Sequence, residues 1–346
     1  MSKVAIVILN WNGLNYLKQF LPSVMEHSSV SGHEVEVAVA DNGSTDGSIQ
    51  WLEESKMANT VIRLNRNFGF AQGYNLALQK VEAEYYLLLN SDVEVGEGWL
   101  QPLVDFMDST PHAAACMPKI LNHSEPMHLE FAGAAGGFID YLGYPFCRGR
   151  ILDATEQDDG QYDQTIPVFW ATGACLMLRS NCFWEAGGFD PNFFAHMEEI
   201  DLCWRLKRMG HSVWCIPKSS VLHVGGGSLP SSNPRKAFLN HRNNLLMLLK
   251  NLAPIKAIGI IPLRLLLDLA SASIYLLSGR FSFAVSVIKS HLHFVAMLPL
   301  VISQRRVFSS KYGYKVSGGI YPKSILSQYF LYKRRKFSQL PGVGAS

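Results

Sequence analysis

Short apolar runs alternate with amphipathic stretches along the first 120 residues. "KVAIVILN" is followed by "LNYLKQFLPSVMEH", where Leu14, Leu17, Leu21, Val24 and Met25 recur at helical spacing, and then by "EVEVAVAD". "SIQWLEESK", "TVIRLN", "AQGYNLALQKV", "EYYLLLN", "GWLQPLVDFMDS" and "AAACMP" continue the pattern. This alternation predicts parallel strands joined by helices, an α/β fold with flanking helices on a mostly parallel, Rossmann-like sheet. Open sheets of this kind bind ligands beyond the carboxyl ends of their strands. The residues that close four of the runs, Asn10, Asp41, Asn65 and Asn90, are all polar and are therefore the first to read for chemistry.

From 121 to 235 the pattern is less periodic and richer in Gly, His and aromatics. "PVFWATGACLMLRS" reads as a buried strand, "EIDLCWRLKRMG" as a helix and "HSVWCIP" as a strand, and "GGGSLPSSNPR" at 225–235 is linker-like. "KAFLNHRNNLLMLLKNLA" is strongly helical up to a break at Pro254. Residues 255–303 are apolar but interrupted by Arg264, Asp268, Arg280 and Lys289. Their longest uncharged run, 290–304, has 15 residues, fewer than the ~20 a spanning helix needs. A buried core helix is one reading; the other is a set of interfacial helices lying in one leaflet.

Charge favours the second. The net charge of +3 hides an asymmetry: no Asp or Glu follows Asp268, whereas eleven Lys or Arg do, leaving 20 basic against 28 acidic residues in 1–268. An acid-free basic tail containing "YKRRK" is drawn to anionic lipid by about 1 kcal/mol per cation near the surface. No nucleic-acid-binding module is recognisable, so nucleic acid is not expected as a partner. Six cysteines without a C-x-x-C pair, and an N-terminus without a long apolar run, point to a reducing, cytoplasmic setting.

Several motifs carry chemistry. "ADNGSTDGS" at 40–48 has the composition of any turn before a helix, with Asp46 as an N-cap, but Asp41 at the strand end is also placed to accept the imide N–H of uracil or thymine. "NRNFGFAQGYN" at 65–75 sets Gly69 and Gly73 where a helix opens, with Asn67 and Asn75 beside them. Such glycines allow close backbone approach, and helix N-termini favour anions. Neither G-x-G-x-x-G nor a P-loop occurs, which counts against dinucleotide enzymes and P-loop NTPases. "YYLLLNSDVEV" ends in Asn90-Ser91-Asp92, and Asp92 suits a hard divalent cation that takes one or two carboxylates and leaves positions for phosphate oxygens. His223 in "VLHVGGGS" is either a satisfied structural residue or a complementary metal ligand. In "FFAHMEEIDLCWR", Glu198, Glu199 and Asp201 fall within four positions. Taken alone this is a solvated helical face with Asp201 pairing to Arg205 at i+4.

As an ordered set, "VILNWNG", "ADNGSTDGS", "NRNFGFAQGYN", "LLLNSDVEV", "TGACLMLRS", "EAGGFDPNFF", "EEIDLCWRLKRMG" and "VLHVGGGS" resemble the family 2 inverting glycosyltransferases. The similarity is nearest to the bacterial rhamnosyltransferase-like branch and covers about residues 3–250. It implies a GT-A fold, with a nucleotide-sugar-binding half at 1–120 and an acceptor-binding and catalytic half at 121–250; the apolar, basic helical segment at 251–346, which its hydropathy and charge assign to the membrane surface, lies beyond the resemblance. It implies Asn10, Trp11 and Asp41 around the donor base and ribose, with Asn67 and Gly69 close to the nucleotide. Asn90-Ser91-Asp92 stands in the D-x-D position with Asp92 and His223 on Mg²⁺ or Mn²⁺, Trp170 lies against the acceptor, and Glu199 is the general base. Here Asn90 replaces the first acid of D-x-D, and Glu199 replaces the commoner Asp.

The implied reaction moves a sugar from a nucleotide diphosphate, dTDP-rhamnose or a UDP-sugar, to a hydroxyl of a saccharide or lipid-linked acceptor. It belongs to surface polysaccharide synthesis at the cytoplasmic face of the inner membrane, with residues 255–346 peripheral on that surface. Two rivals stand beside it. One is a catalytically silent, membrane-associated homologue that binds a nucleotide or a partner transferase, favoured by Asn90 and Glu199. The other, a sugar nucleotidyltransferase, would want a Gly-rich basic loop where "LNWNGLNYL" has one Gly and no cation.

Overall fold

The computed structural model describes residues 2–225, 232–316 and 318–343, so most of the linker-like stretch read at 225–235 lies outside the described residues. The chain begins with β1 (Ser2–Asn10), α1 (Leu14–His27), β2 (His33–Asn42), α2 (Ser48–Ser55), β3 (Thr60–Leu64), α3 (Gly69–Leu78) and β4 (Tyr85–Asn90). β5 (Val93–Val95), α4 (Gln101–Ser109) and β6 (Ala113–Asn122) follow. The second half holds β7 (Gly137–Asp140), β8 (Pro145–Cys147), β9 (Arg150–Ile151), β10 (Ala154–Thr155), β11 (Ile166–Val168), β12 (Cys175–Arg179), α5 (Ser180–Glu185), α6 (Glu198–Arg208) and β13 (Ser212–His223). Then come α7 (Pro234–Asn251), α8 (Pro254–Leu277), α9 (Phe281–Tyr312), β14 (Ile320–Tyr321) and α10 (Ile325–Phe330).

The first runs form the expected parallel array β3-β2-β1-β4. β4 is apolar over five consecutive positions because it lies mid-sheet and is covered on both faces. Beyond β4 the sheet becomes mixed. β12 runs antiparallel to β4 and β6, β13 runs parallel to β6, and β11 and β5 pair antiparallel with β13. Register brings the polar strand ends level: Asn10 pairs with Asp41, Leu9 with Asn90, and His223 with Val93 next to Asp92. Residues up to 130 positions apart thus meet at one edge because the strands around them stop together.

The last third corrects the expected division at 250/251. α9 packs along α7, but after α9 the chain returns to the second half, where β14 pairs with β7 in a five-stranded sheet, β10-β9-β8-β7-β14. Tyr321, Ile325, Tyr329, Phe337 and Leu340 join the main core. Asp140 accepts the amide of Ile325 at 2.9 Å, and Glu156 accepts that of Phe337 at 2.9 Å. Residues 313–343 therefore complete the second half of the fold instead of trailing behind α9. All six cysteines are buried and unpaired.

Candidate active site

Asn10 and Asp41 hold the donor-side edge together from below. Asn10 Nδ2 donates to Asp41 Oδ1 at 3.0 Å and to Ser44 Oγ at 3.2 Å, and Asp41 Oδ2 accepts the Ser44 amide at 2.9 Å. With 0% and 2% exposure, they form the floor that fixes the two strand-end turns, while Trp11, 44% exposed, stands free above them. Asp46 serves two helix starts, accepting the Ser48 amide at 3.1 Å and the Leu14 amide at 2.9 Å, so it ties α1 to α2 as well as acting locally.

The next turn is pinned by a residue that the sequence patterns passed over. Asn42 accepts the Phe68 amide and donates to the Gly69 carbonyl, both at 3.0 Å, while Asn67 Oδ1 accepts the Gly69 amide at 2.8 Å. Gly69 has φ +77, and a Cβ there would lie 2.5 Å from the Phe194 carbonyl oxygen. Glycine is needed at this position because the donor half and the loop before α6 touch through it.

At the centre of the edge, His223 Nε2 lies 3.2 Å from Asp92 Oδ1 and 3.4 Å from Asn90 Nδ2; its Nδ1 lies 3.3 Å from Glu130 Oε2. Burial opposes charge on His223, but the two carboxylates outweigh it and push its pKa up to about 9. Among the described residues, no set of three or more His, Cys, Asp or Glu converges as a metal-ligand group. Glu130 faces the ring nitrogen opposite Asp92 and cannot share a metal with it. Asp92 and His223 thus fit a two-ligand half-site, oxygen plus imidazole, that diphosphate oxygens would complete.

The acidic run resolves into two environments. Asp201 is wholly buried: Oδ2 accepts Arg205 Nε at 2.8 Å and Lys250 Nζ at 3.0 Å, and Oδ1 accepts Asn251 Nδ2 at 2.8 Å. Lys250 also reaches Asp190 at 2.7 Å. Burial alone would raise the Asp201 carboxyl, but Arg205 and Lys250 hold it below the usual carboxylate range. Glu198 and Glu199 stand in the first turn of α6, each with an Oε2 that is shielded from solvent and has no hydrogen-bond partner. Burial raises Glu199 to about 7, against the opposing amides of Glu199, Ile200 and Met197. Burial and the neighbouring Glu199 charge push Glu198 well above its ordinary value. Glu198 therefore stands with Glu199 in character, whereas Asp201 makes the expected i+4 pair with Arg205 and is structural.

The loop leading to this pair is strained. Phe194, His196 and Met197 have φ of 64°, 71° and 74°, and non-glycine residues held there cost about 1–3 kcal/mol each. Such strain persists only where the surroundings over-determine the backbone. Lys236, in the first turn of α7, depresses His196, which burial already lowers to about 4, and the Glu130 charge acts on Lys236 in turn.

Trp170 is corrected. It is 4% exposed, its indole N–H donates to the Phe138 carbonyl at 2.9 Å, and its ring packs on Gly137, where a Cβ would collide with it. It is part of the core and offers no face to a sugar. A cleft of about 720 Å³ between Val81 and Trp184 lies at the opposite end of β4 and holds none of these groups.

Comparison with known proteins bears on this geometry. Residues 5–150 match the model of Glycosyl transferase family 2. The N-acetylglucosaminyl-diphospho-decaprenol L-rhamnosyltransferase of Mycobacterium tuberculosis (strain ATCC 25618 / H37Rv) is 27% identical over 233 residues, covering 63% of this chain and 75% of that protein. Rhamnosyltransferase WbbL of Escherichia coli (strain K12) is 24% identical over 163 residues, covering 45% of this chain and 61% of WbbL. The fold is similar to Staphylococcus aureus TarS 1–349 in complex with UDP-GlcNAc, with a TM-score of 0.54, 16% identity, and coverage of 90% of this chain and 89% of that one. It is also similar to the mannosyltransferase PcManGT from Pyrobaculum calidifontis in complex with GDP-Man and Mn²⁺, with a TM-score of 0.52, 13% identity, and coverage of 90% and 84%.

Proposed function

Because residues 5–150 are a glycosyl transferase family 2 domain on a GT-A fold, we propose that the chain is an inverting transferase in which Glu199 is the general base. One observation carries this reading. Glu199 presents an unpartnered, solvent-shielded carboxylate oxygen at a helix start, with a pKa raised to about 7, just after a loop whose Phe194 carbonyl accepts the amides of Phe70 and Ala71 at the start of α3. A base poised near the working pH can take a proton and still be ionised, which is worth about 10² to 10⁴ in rate.

The donor lies along the strand ends, its base beside Trp11 above the Asn10–Asp41 floor and its diphosphate toward Asn67, Gly69, Asn90 and Ser91. Asp92 and His223 would hold Mg²⁺ or Mn²⁺, which when bound supplies Lewis-acid stabilisation of the departing diphosphate. Glu199 removes the acceptor hydroxyl proton as that oxygen attacks C1 from the face opposite the diphosphate, so the anomeric configuration inverts. The names of the relatives support rhamnosyl transfer and a saccharide or lipid-linked acceptor; dTDP-rhamnose or a UDP-sugar is the donor proposed.

The acceptor's setting is a bilayer surface. α8 and α9 are each long and apolar enough to cross a membrane, and only 17% and 22% of their apolar stretches are buried, unlike core helices. Yet α8 turns Ala257, Arg264, Asp268 and Ala272 inward, and Arg264 donates to the Leu142 carbonyl at 2.9 Å. A helix anchored to the domain at Arg264 and packed on α9 at Ala272 favours lying along the membrane surface over spanning it.

The test is transfer from a dTDP- or UDP-sugar with Mn²⁺. Turnover in the wild type that is lost in Glu199→Gln and Asp92→Asn supports the mechanism, and unchanged turnover in both variants overturns it. A second reading, a silent nucleotide-binding homologue, is favoured by Asn90 in place of the first acid. It requires nucleotide binding without turnover in the wild type.

A further inference from the structure

Five consecutive carbonyls in the loop before α6 are each gripped by a donor from elsewhere in the chain. Arg242 Nη2 takes the Asn192 carbonyl at 2.8 Å and the Phe193 carbonyl at 3.1 Å. The Phe194 carbonyl accepts the amides of Phe70 at 2.6 Å and Ala71 at 3.3 Å, both in the first turn of α3. Asn243 Nδ2 donates to the carbonyls of Phe193, Ala195 and His196 at 2.9, 2.9 and 2.7 Å. Asn243 is wholly buried, and its Oδ1 accepts from Arg242 Nε at 2.9 Å. A single amide group thus holds three peptide units around the strained positions 194, 196 and 197, immediately before the two carboxylates of α6.

We propose that Asn243 is a positioning residue that holds the 193–197 backbone in the conformation that aims Glu199 at the acceptor. This inference rests on Glu199 being the base. An asparagine fits because its NH₂ presents two hydrogens from one rigid plane and can serve several carbonyls at once. An aliphatic residue of similar size would leave the Ala195 and His196 carbonyls without this donor and the Phe193 carbonyl held by Arg242 alone, and the strained dihedrals would relax toward ordinary ones. The Phe194 carbonyl links the same loop to α3, whose first turn contains Gly69 and follows Asn67, so donor seating and base placement act on one segment from opposite sides.

The experiment uses the full chain, with Asn243→Ala and, where that variant is insoluble, Asn243→Ser. A misplacement of about 1 Å costs on the order of 100-fold in rate, so kcat should fall by about 10- to 100-fold. The donor KM and the Kd for the donor's nucleoside diphosphate should stay within about twofold, and the acid limb of kcat should move from near pH 7 by half a unit or more. Asn243→Gln, which retains the NH₂ group, should recover part of the loss. Wild-type kcat and pH profile in a folded variant overturn the proposal, as does a loss of kcat that tracks donor affinity and Tm with the acid limb unmoved. Glu199→Gln is assayed alongside. If it remains active, both the base and its positioning fall. If it is dead while the Asn243 variants match wild type, only the present inference falls.

Discussion

Glu130 Oε2 sits 3.3 Å from Nδ1 of His223, across the imidazole from Asp92, which lies 3.2 Å from Nε2. A carboxylate behind a histidine ligand sets its tautomer and raises its basicity, and removing such a partner costs about 10- to 100-fold in metal affinity. Glu130→Ala should weaken Mn²⁺ binding, measured by calorimetry with a saturating nucleoside diphosphate, by that factor. Unchanged affinity would remove Glu130 from the site.

The Glu198–Glu199 pair predicts a stability difference opposite in sign to the activity difference. The Glu199 pKa is raised in the folded state, so the stability linked to it is complete below the ordinary glutamate value of about 4.5 and is lost as pH rises through about 7. Glu199→Gln, neutral throughout, should match wild type in Tm near pH 4 and exceed it at pH 8, while losing transfer activity. Equal Tm values at pH 8 would show that Glu199 is well solvated.

Asp190 and Asp201 work in the other direction. Both are held below the usual carboxylate range, so their contribution is present above the unfolded value and is lost as pH falls through the folded ones. Asp201→Ala leaves Lys250 and Arg205 short of a buried partner and should cost about 3–5 kcal/mol. Urea denaturation at pH 7 would check this, and a loss below 1 kcal/mol would mean that Asp190 alone satisfies Lys250.

The outer face of α8 and α9 gives a membrane test that spares the core. Ile258, Leu266 and Leu292 are 75%, 64% and 66% exposed. Changing all three to Glu should leave Tm near wild type and abolish co-flotation with vesicles containing anionic lipid. Flotation of the triple variant at wild-type levels would place the membrane contact elsewhere. Deleting residues 255–346 is the poorer experiment, since it removes Tyr321, Ile325 and Phe337 from the core.

The donor half was legible because its signals are local. A run of apolar residues closed by Asn or Asp identifies a strand and its end at once, and parallel register then brings Asn10, Asp41 and Asn90 level. His223 and Asp92 were legible as residue types, but Glu130 was not, since its position opposite the imidazole depends on the course of the chain after β6. Asn243 lies in a stretch whose helical periodicity is plain, yet its contacts are 47 to 50 positions away, and nothing in that periodicity marks a buried amide as a clamp. Trp170 was misplaced because an aromatic beside small residues serves equally well as a sugar platform or as core packing. Only the close approach of Gly137 decides between them.

The strand pairing between β7 and β14 joins residues about 180 positions apart, with α8 and α9 between them. Synthesis proceeds from the N-terminus, so the parallel strands β1 to β4 emerge first, and both apolar helices precede the segment that closes the five-stranded sheet. Completion of the second half is therefore ordered in time: its five-stranded sheet can close only after both long apolar helices have been made.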